Sequence, residues 1–575
     1  MFSIAKAVKL FFKKSINLAP NKNNQMSKNL SDLSLRKGLL DNLFDKMGQL
    51  SNNEGTPSKQ ELEELAQEFL MGKANTYGTT SFYDFMKPEN KGKKAYVCNG
   101  SACVCSGAQK NVQESLEKEF SAEEIGHMTC LGRCHENGAF HYNGNNYSAK
   151  NASDISEIIK NNKTEKSQDN YHVEATKELL TLPFDGMDAF KKTVHEALSN
   201  DSINILNEIK EANIRGRGGA GFPMGFKLES CRNTESDIKF IICNADEGDP
   251  GAYSDRYLLE QRPHAVLFGM LMAGFVTGAS WGVLYIRAEY PDAVTIIQNA
   301  IDELKAHDLI GFDINGSGFN FDFKIIKAQG AYICGEETAL INSIEGQRPE
   351  VRTRPPYPTQ EGLFRKPTIV NNVETLAAVY QIVKQGGKAY ASLGTEKSKG
   401  TKLVCLDSFF NRPGIYEVEM GMPLKEIIHD LGKGFKEPIK AMQIGGPLGG
   451  IVPVEKIDSL SLDFESFANE GFLLGHASII CIPESFAMMD YLEHLMDFAQ
   501  YESCGKCFPC RLGTKRAHEL LIKANNSEYK IDRKLFDDLM DTLKQGSLCA
   551  HGGGIPLPVH NALTYFEEEL GSYFE

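Results

Sequence analysis

The chain has 575 residues, 41% hydrophobic and 24% charged, ordinary proportions for globular protein and enough for three or four domains at roughly 150 residues each. Its net charge of -14, without a clustered basic face beyond the N-terminus, excludes nucleic acid and anionic membrane surfaces as main partners.

Residues 1–31 carry six lysines and no acid, with apolar residues at helical spacing in the first dozen positions. Three readings stay open: a disordered or mis-started tail, with Met26 as the alternative start; an organelle presequence, against which stand the missing arginine and scarce serine; and a membrane-surface anchor. Residues 32–90 read as a helical segment through LLDNLFDKM and KQELEELAQEFL.

Residues 91–160 open with the strand AYVCN and hold the first cysteine group. Cys98 and Cys103 form a C-x4-C pair, and Cys130 and Cys134 a C-x3-C pair, with 26 residues between them that include a helical stretch, AQKNVQESLEKEF. Four thiolates in two pairs suit a [2Fe-2S] cluster; tetrahedral zinc is the alternative, although its knuckles usually read C-x2-C. Cys105 reads as a packing residue rather than a ligand. Strand and turn signals continue through FHYNGNNY, and Lys160 to Asp169 form a polar linker.

Residues 170–398 alternate helical patterns with apolar strands such as KFIICNA and WGVLYI, an α/β signature. Ala265 to Ile286 run 22 residues without a charge, but four glycines and a GAS break favour a buried helix, a turn and a strand over a membrane span. Gly216, Gly218 and Gly221 match G-x-G-x-x-G, yet they follow the helical stretch ILNEIKEANIR instead of a strand, which argues against the Rossmann fingerprint. With Gly219 and Gly225 they still let backbone approach a phosphate or ring closely, with Lys227 supplying charge; a plain loop is the competing reading. Asn244, Asp246, Glu247 and Asp249 follow the strand FIIC, and Glu336 and Glu337 follow YIC. At strand ends these groups bind ribose hydroxyls in a crevice or cap helices.

Residues 399–480 form a shorter β-rich unit, and residues 481–575 read as helical. There Cys504, Cys507 and Cys510 make C-x2-C-x2-C, with Cys549 beyond a 38-residue gap. That spacing suits a [4Fe-4S] cluster, zinc again being the alternative. Of 14 cysteines, the five outside both groups (Cys231, Cys243, Cys334, Cys405, Cys481) read as core. No cleavable secretory signal is evident, so a reducing compartment is expected.

RGRGGAGFPMGFK, CNADEGDPGAYSDR, GAYICGEETALI, KPTIVNNVET, NRPGIYEV and ESCGKCFPCR, in this order, resemble the NADH-binding flavoprotein subunit of respiratory complex I. The same motifs resemble the diaphorase subunits of NAD-reducing hydrogenases, the flavin subunits of bifurcating hydrogenases and the β subunits of NAD-dependent formate dehydrogenases. SFYDFM, YVCNGSAC and TCLGRC resemble the thioredoxin-like [2Fe-2S] subunit of these complexes, so the chain looks like both subunits fused. The resemblance implies an α/β multidomain chain: a helical segment plus thioredoxin-like [2Fe-2S] domain, a Rossmann-like FMN and NAD domain, a small β-grasp-like domain and a C-terminal helical [4Fe-4S] domain.

By motif match, Gly216, Gly218, Gly219, Lys227, Asn244, Asp246, Tyr332, Gly335, Glu336, Asn371, Asn372 and Thr375 would hold FMN. Phe222, Glu247, Asp249, Glu337 and Tyr357 would shape the NAD pocket. Complex I subunits usually read NADESEPG where this chain reads NADEGDPG, so Asp249 is one methylene shorter than the usual glutamate. The acids favour NAD over NADP by accepting ribose hydroxyls and repelling a 2′-phosphate.

The implied activity is NADH dehydrogenase, with electrons passing between NAD(H), FMN and both clusters and no side chain acting as acid or base in hydride transfer. Iron–sulfur and catalytic partner subunits supply the second substrate, in a soluble NAD-linked hydrogenase or formate dehydrogenase, or alternatively in complex I. An answer of another class is a non-catalytic, zinc-stapled scaffold. A cytoplasmic location is expected, or a mitochondrial or hydrogenosomal matrix if the basic N-terminus is a presequence.

Overall fold

The computed structural model describes residues 38–54, 56–149, 151–161 and 171–575. The basic leader and nearly all of the polar linker lie outside the described residues. Three sheets organise the rest.

The first has strands β1 (Ala95–Cys98), β2 (Ile125–Met128), β3 (Ala139–Tyr142) and β4 (Asn145–Ser148), in the order β2-β1-β3-β4. β1 runs parallel to β2 and antiparallel to β3. Asn143 (φ 48°) and Gly144 (φ 75°) supply the two left-handed residues of a tight hairpin turn between β3 and β4. Val97, Phe140 and Tyr147 pack against Val112, Leu116 and Ile155 of two covering helices. This is the thioredoxin-like unit.

β5 (His172–Ala175) follows the linker. A parallel sheet then forms from β6 (Phe240–Ala245), β7 (Trp281–Ile286), β8 (Asp322–Lys327) and β9 (Thr368–Asn372), in the order β8-β7-β6-β9. Side chains alternate across it, as strand geometry demands. Ile241, Cys243, Leu284 and Ile286 face one core with the helices Pro263–Thr277 and Val373–Gln385, and Phe240, Ile242, Val283 and Tyr285 face another. The second face is covered by the N-terminal helices through Leu43, Phe44 and Met47. Asn42 Nδ2 donates to the Ile344 carbonyl at 2.8 Å, and Tyr83 Oη donates to Ser343 Oγ at 2.7 Å. The described part of this helical segment, residues 38–54 and 56–90, which the sequence leaves unattached, therefore serves as one layer of the α/β sandwich.

The uncharged run resolves as expected into the buried helix Pro263–Thr277, a left-handed Gly278 (φ 76°) and β7. Among the described residues no helix is long and apolar enough to cross a membrane.

The third sheet adds β10 (Thr401–Leu406), β11 (Gly414–Glu419), β12 (Ile439–Ile444), β13 (Gly450–Pro453) and β14 (Ile479–Pro483), in the order β13-β12-β14-β10-β11-β5. β5 thus pairs with β11 and belongs to this sheet, although it heads the α/β segment in sequence. One core joins the sheet to the helices Met488–Tyr501, Phe508–Asn525 and Arg533–Gly546, and Cys105 inserts into it from the thioredoxin-like unit. The five solitary cysteines are all buried.

Candidate functional site

The glycine loop spans 213–223, between the helices Ser202–Ala212 and Met224–Asn233. Asn213 ends the first in a left-handed conformation (φ 48°). Gly216 N–H donates to the Phe222 carbonyl at 2.9 Å, and Arg217 N–H donates to Thr375 Oγ1 at 2.8 Å. A Cβ on Gly218 would stand 3.0 Å from Asn372 Cβ, and Gly219 has φ 115°. The loop is thereby pressed against the carboxyl end of β9, where Asn244 of β6 lies in register with Asn372. This is the crevice position at which open α/β sheets take ligands.

Several predicted contacts are spent on building this crevice. Asn372 Oδ1 caps the helix Val373–Gln385, and its Nδ2 donates to Asp255 Oδ2 at 2.6 Å. Glu336 caps Glu337–Ile344 through Thr338 N–H and Ala339 N–H, each at 2.9 Å. Asn244 Nδ2 donates to the Gly335 carbonyl at 2.7 Å. Lys227 Nζ donates to the Val370 carbonyl at 2.7 Å and lies 3.2 Å from Glu337, whose other oxygen is 3.1 Å from Arg354. The helix-capping alternative thus holds for Glu336, and Asn372, expected only as an FMN contact, caps a helix as well.

Glu247 is buried, accepting from Asp255 N–H at 2.9 Å, Arg256 N–H at 3.1 Å and Tyr290 Oη at 3.2 Å. Its carboxyl group stabilises the start of the helix Ser254–Gln261. Phe222 and Tyr357 are both exposed, with Phe226 edge-on to Phe222 at 5.6 Å.

Among the buried polar atoms of the described residues that have no hydrogen-bond partner are Asp246 Oδ2 and Asn371 Nδ2. Burial pushes the Asp246 carboxyl well above the usual range, with Arg287 opposing. One acceptor and one donor beside a glycine loop fit the edge of a flavin and the hydroxyls of its side chain.

The thioredoxin-like cysteines are all buried. Cys130 Sγ lies 3.3 Å from Cys134 Sγ, and Cys98 contacts both Cys103 and Cys130. Contact with Cys103 pushes the Cys98 thiol well up, contact with Cys130 does the same for Cys134, and burial adds to both. Four enclosed thiols brought together in this way call for a multivalent cation centre that converts them to thiolates. Backbone N–H groups of Gly100, Gly132 and Gly251 aim at the sulfurs of Cys98, Cys130 and Cys134 at 3.4, 3.4 and 3.2 Å. Gly251 belongs to the acidic turn after β6, so the flavin unit itself closes this site.

In the C-terminal unit, Cys507 precedes the helix Phe508–Asn525, Cys510 lies in its first turn, and Cys549 precedes Ala550–Gly554. Cys504 is buried against Ile333, Ala339 and Val351 of the α/β unit, whereas Cys507 and Cys549 are half-buried. Burial pushes Cys510 up to about 11 and Cys549 up to about 12. Tyr332 links this site to the crevice: its N–H donates to Glu502 at 2.9 Å, its Oη donates to Asp249 at 3.0 Å, and its ring meets Phe498 at 4.9 Å. Gly251, Glu502 and Arg287 had no signal in local spacing, because each acts through partners far away in sequence.

A glycine-lined crevice at parallel strand ends, with a thiol cluster on either side, defines an iron–sulfur flavoprotein. Comparison with known proteins agrees. Residues 209–381 match the Nuo51 FMN-binding domain, residues 490–573 the NADH-ubiquinone oxidoreductase-F iron-sulfur binding region, and residues 40–163 the thioredoxin-like [2Fe-2S] ferredoxin. The NADP-reducing hydrogenase subunit HndC of Solidesulfovibrio fructosivorans is 39% identical over 66% of this chain and 78% of its own. The NAD-reducing hydrogenase HoxS subunit alpha of Cupriavidus necator is 34% identical over 85% of each chain. A solved NAD+-reducing [NiFe]-hydrogenase chain superposes with TM-score 0.82 at 27% identity, covering 93% of both chains. The chain belongs to the NADH-oxidising FMN and [4Fe-4S] subunit family, with the thioredoxin-like [2Fe-2S] domain fused at its N-terminal side. Its cofactors are FMN and these two clusters, its substrate is NAD(H), and the zinc alternatives are set aside.

Proposed function

We propose that this chain is the NAD(H)-linked electron-transfer subunit of a hydrogenase. The match over 93% of both chains, fused [2Fe-2S] unit included, favours this assembly over complex I.

In this reading Gly216, Gly218 and Gly219 give FMN a close backbone approach, while Asn244, Gly335, Asn372, Thr375 and Glu336 hold the loops around it. Asp246, Asn371 and Lys227 offer it polar contacts, and Tyr332 braces the wall. Phe222 and Tyr357 flank the dinucleotide, Asp249 and Glu337 accept its hydroxyls, and Glu247 fixes the turn that carries Asp249. Bound FMN supplies the exchange between a hydride pair and single electrons, which no side chain performs. Cys98, Cys103, Cys130 and Cys134 hold the [2Fe-2S] cluster, and Cys504, Cys507, Cys510 and Cys549 the [4Fe-4S] cluster.

The [4Fe-4S] edge is where a partner docks. Phe508 and Leu512 are 67% and 54% exposed there, beside exposed Leu548, Lys506, Arg511 and Lys515. An apolar patch with a basic rim, on a chain of net charge -14, suits an iron–sulfur subunit with an acidic face.

The test is an anaerobic visible spectrum of the purified complex before and after NADH, with FMN and iron quantified, followed by hydrogen-dependent NAD+ reduction. Bleaching with hydrogen-dependent turnover supports the reading; bleaching with turnover only towards a quinone moves the chain to complex I. The compartment is a reducing one, the cytoplasm in the simplest case. Import of a reporter fused to residues 1–31 into an organelle would place it in a mitochondrial or hydrogenosomal matrix instead.

A further inference from the structure

The β-rich unit contributes a wall to the flavin crevice through two turns, Gly445–Gly446 and Gly475–His476. A Cβ on Gly219 would stand 3.6 Å from Gly475 Cα and 3.8 Å from His476 N. Gly446 has φ 90°, and a Cβ there would meet His476 Nε2 at 2.6 Å and Asp249 Oδ1 at 2.8 Å, so glycine is required beside this pair. His476 and Asp249, 227 positions apart in the numbering, thus share one side of the crevice.

The imidazole is fixed in one tautomer. Ser478 N–H donates to His476 Nδ1 at 3.3 Å, so Nδ1 holds the lone pair. Burial keeps the ring below its ordinary range and neutral, which leaves the proton on Nε2. That N–H is buried, has no hydrogen-bond partner among the described residues, and lies 3.7 Å from Asp249 Oδ1. Buried donors are rarely left unmade, and a shift of under about 1 Å would make this one. Asp249 Oδ1 already accepts from Tyr332 Oη at 3.0 Å on its other side.

We infer that His476 is a positioning residue of the nicotinamide-dinucleotide pocket: its Nε2–H closes onto Asp249 when the dinucleotide binds, holding the carboxylate between His476 and Tyr332. The inference rests on Asp249 being a dinucleotide contact. Two units of the chain then orient one acid, Tyr332 from the α/β unit and His476 from the β-rich unit. Because the bond forms on binding and not in the reaction, it lowers KM for NADH and leaves kcat alone.

The test is steady-state NADH oxidation by the intact holoenzyme with ferricyanide as acceptor, FMN and iron being measured on every variant. His476→Ala should raise KM about five- to thirtyfold, the loss of one charge-assisted hydrogen bond, with kcat and cofactor content within about twofold of the parent. His476→Gln, which keeps an N–H at the same reach, should restore KM to within about threefold. Asp249→Asn should raise KM at least as far, and the double variant His476→Ala, Asp249→Asn no further. An unchanged KM in His476→Ala while Asp249→Asn is impaired overturns the inference, as do equal defects in the Ala and Gln variants or additive defects in the double variant. An unchanged KM in Asp249→Asn overturns instead the assignment of Asp249 to the pocket.

Discussion

The two cysteine groups contrast in how they are enclosed. Around Cys98, Cys103, Cys130 and Cys134 every thiol is buried, and the flavin unit closes the site: Gly251 N–H reaches Cys134 Sγ, and Arg287 donates to the Cys130 carbonyl at 2.8 Å. Around Cys504, Cys507, Cys510 and Cys549 the inner cysteine packs on the α/β unit, while Cys507 and Cys549 reach a surface of exposed apolar and basic residues. Both groups flank one crevice, yet only the second has an open edge. Enclosure by the chain itself marks an internal centre, and a half-open edge with an uncovered apolar rim marks an exit.

The contrast breaks most sharply with Cys504→Ala. This variant should retain flavin bleaching by NADH and lose electron delivery to the partner subunit altogether; delivery at the parental rate would place the exit elsewhere. Next in size is the order of iron loss. An added iron chelator under mild oxidation should extinguish the electron paramagnetic resonance signal of the Cys504–Cys549 centre before that of the Cys98–Cys134 centre, and the reverse order would contradict the enclosure argument. At the rim, Phe508→Ala should weaken partner binding about thirtyfold, as loss of an apolar anchor does, without changing NADH:ferricyanide turnover. That binding should also weaken with added salt if the basic rim contributes.

The smallest effect concerns Asp407 at the enclosed side, where Ser408 N–H donates to the Cys134 carbonyl at 3.0 Å. Burial raises the Asp407 carboxyl to about 7, against hydrogen bonds from Cys481 N–H and Phe409 N–H that lower it. The folded chain therefore holds a proton on Asp407 that the unfolded chain has released. Its contribution to stability is present below the unfolded value and declines as pH rises towards 7, by no more than about 1.4 kcal/mol per pH unit. Thermal melts of Asp407→Asn between pH 5 and 8 should show a flatter profile than the parent, and identical profiles would remove Asp407 from this account.

Much of the site was legible before folding was considered. The cysteine spacings, the glycine loop after a helix and the acidic turn after β6 lie within short stretches of chain and reappear in place, whereas the run YIC before Glu336 forms a short 3-10 helix, Tyr332–Gly335, and not a strand. Less legible was the division of labour inside the crevice. Glu336, read as either a ligand contact or a helix cap, caps a helix; Asn372, read as a ligand contact, caps one too; and Glu247 turns onto the helix Ser254–Gln261. A carboxylate beside a strand end looks the same in sequence whether it faces a ligand or the next helix. The strand His172–Ala175 was likewise invisible as part of the third sheet, since its partner β11 lies more than two hundred residues away.

The sequence by itself determined which centres the chain builds, because ligand spacing over a few residues is set by covalent geometry and the local helix or strand. It also determined the family, through long motifs that recur in order. Tertiary structure alone decided that the N-terminal helices cover the parallel sheet, that Gly251 closes one cluster while the other stays half-open, and that His476 faces Asp249. Those relations join residues more than a hundred positions apart, and only the packing of three cores against one another brings them within reach.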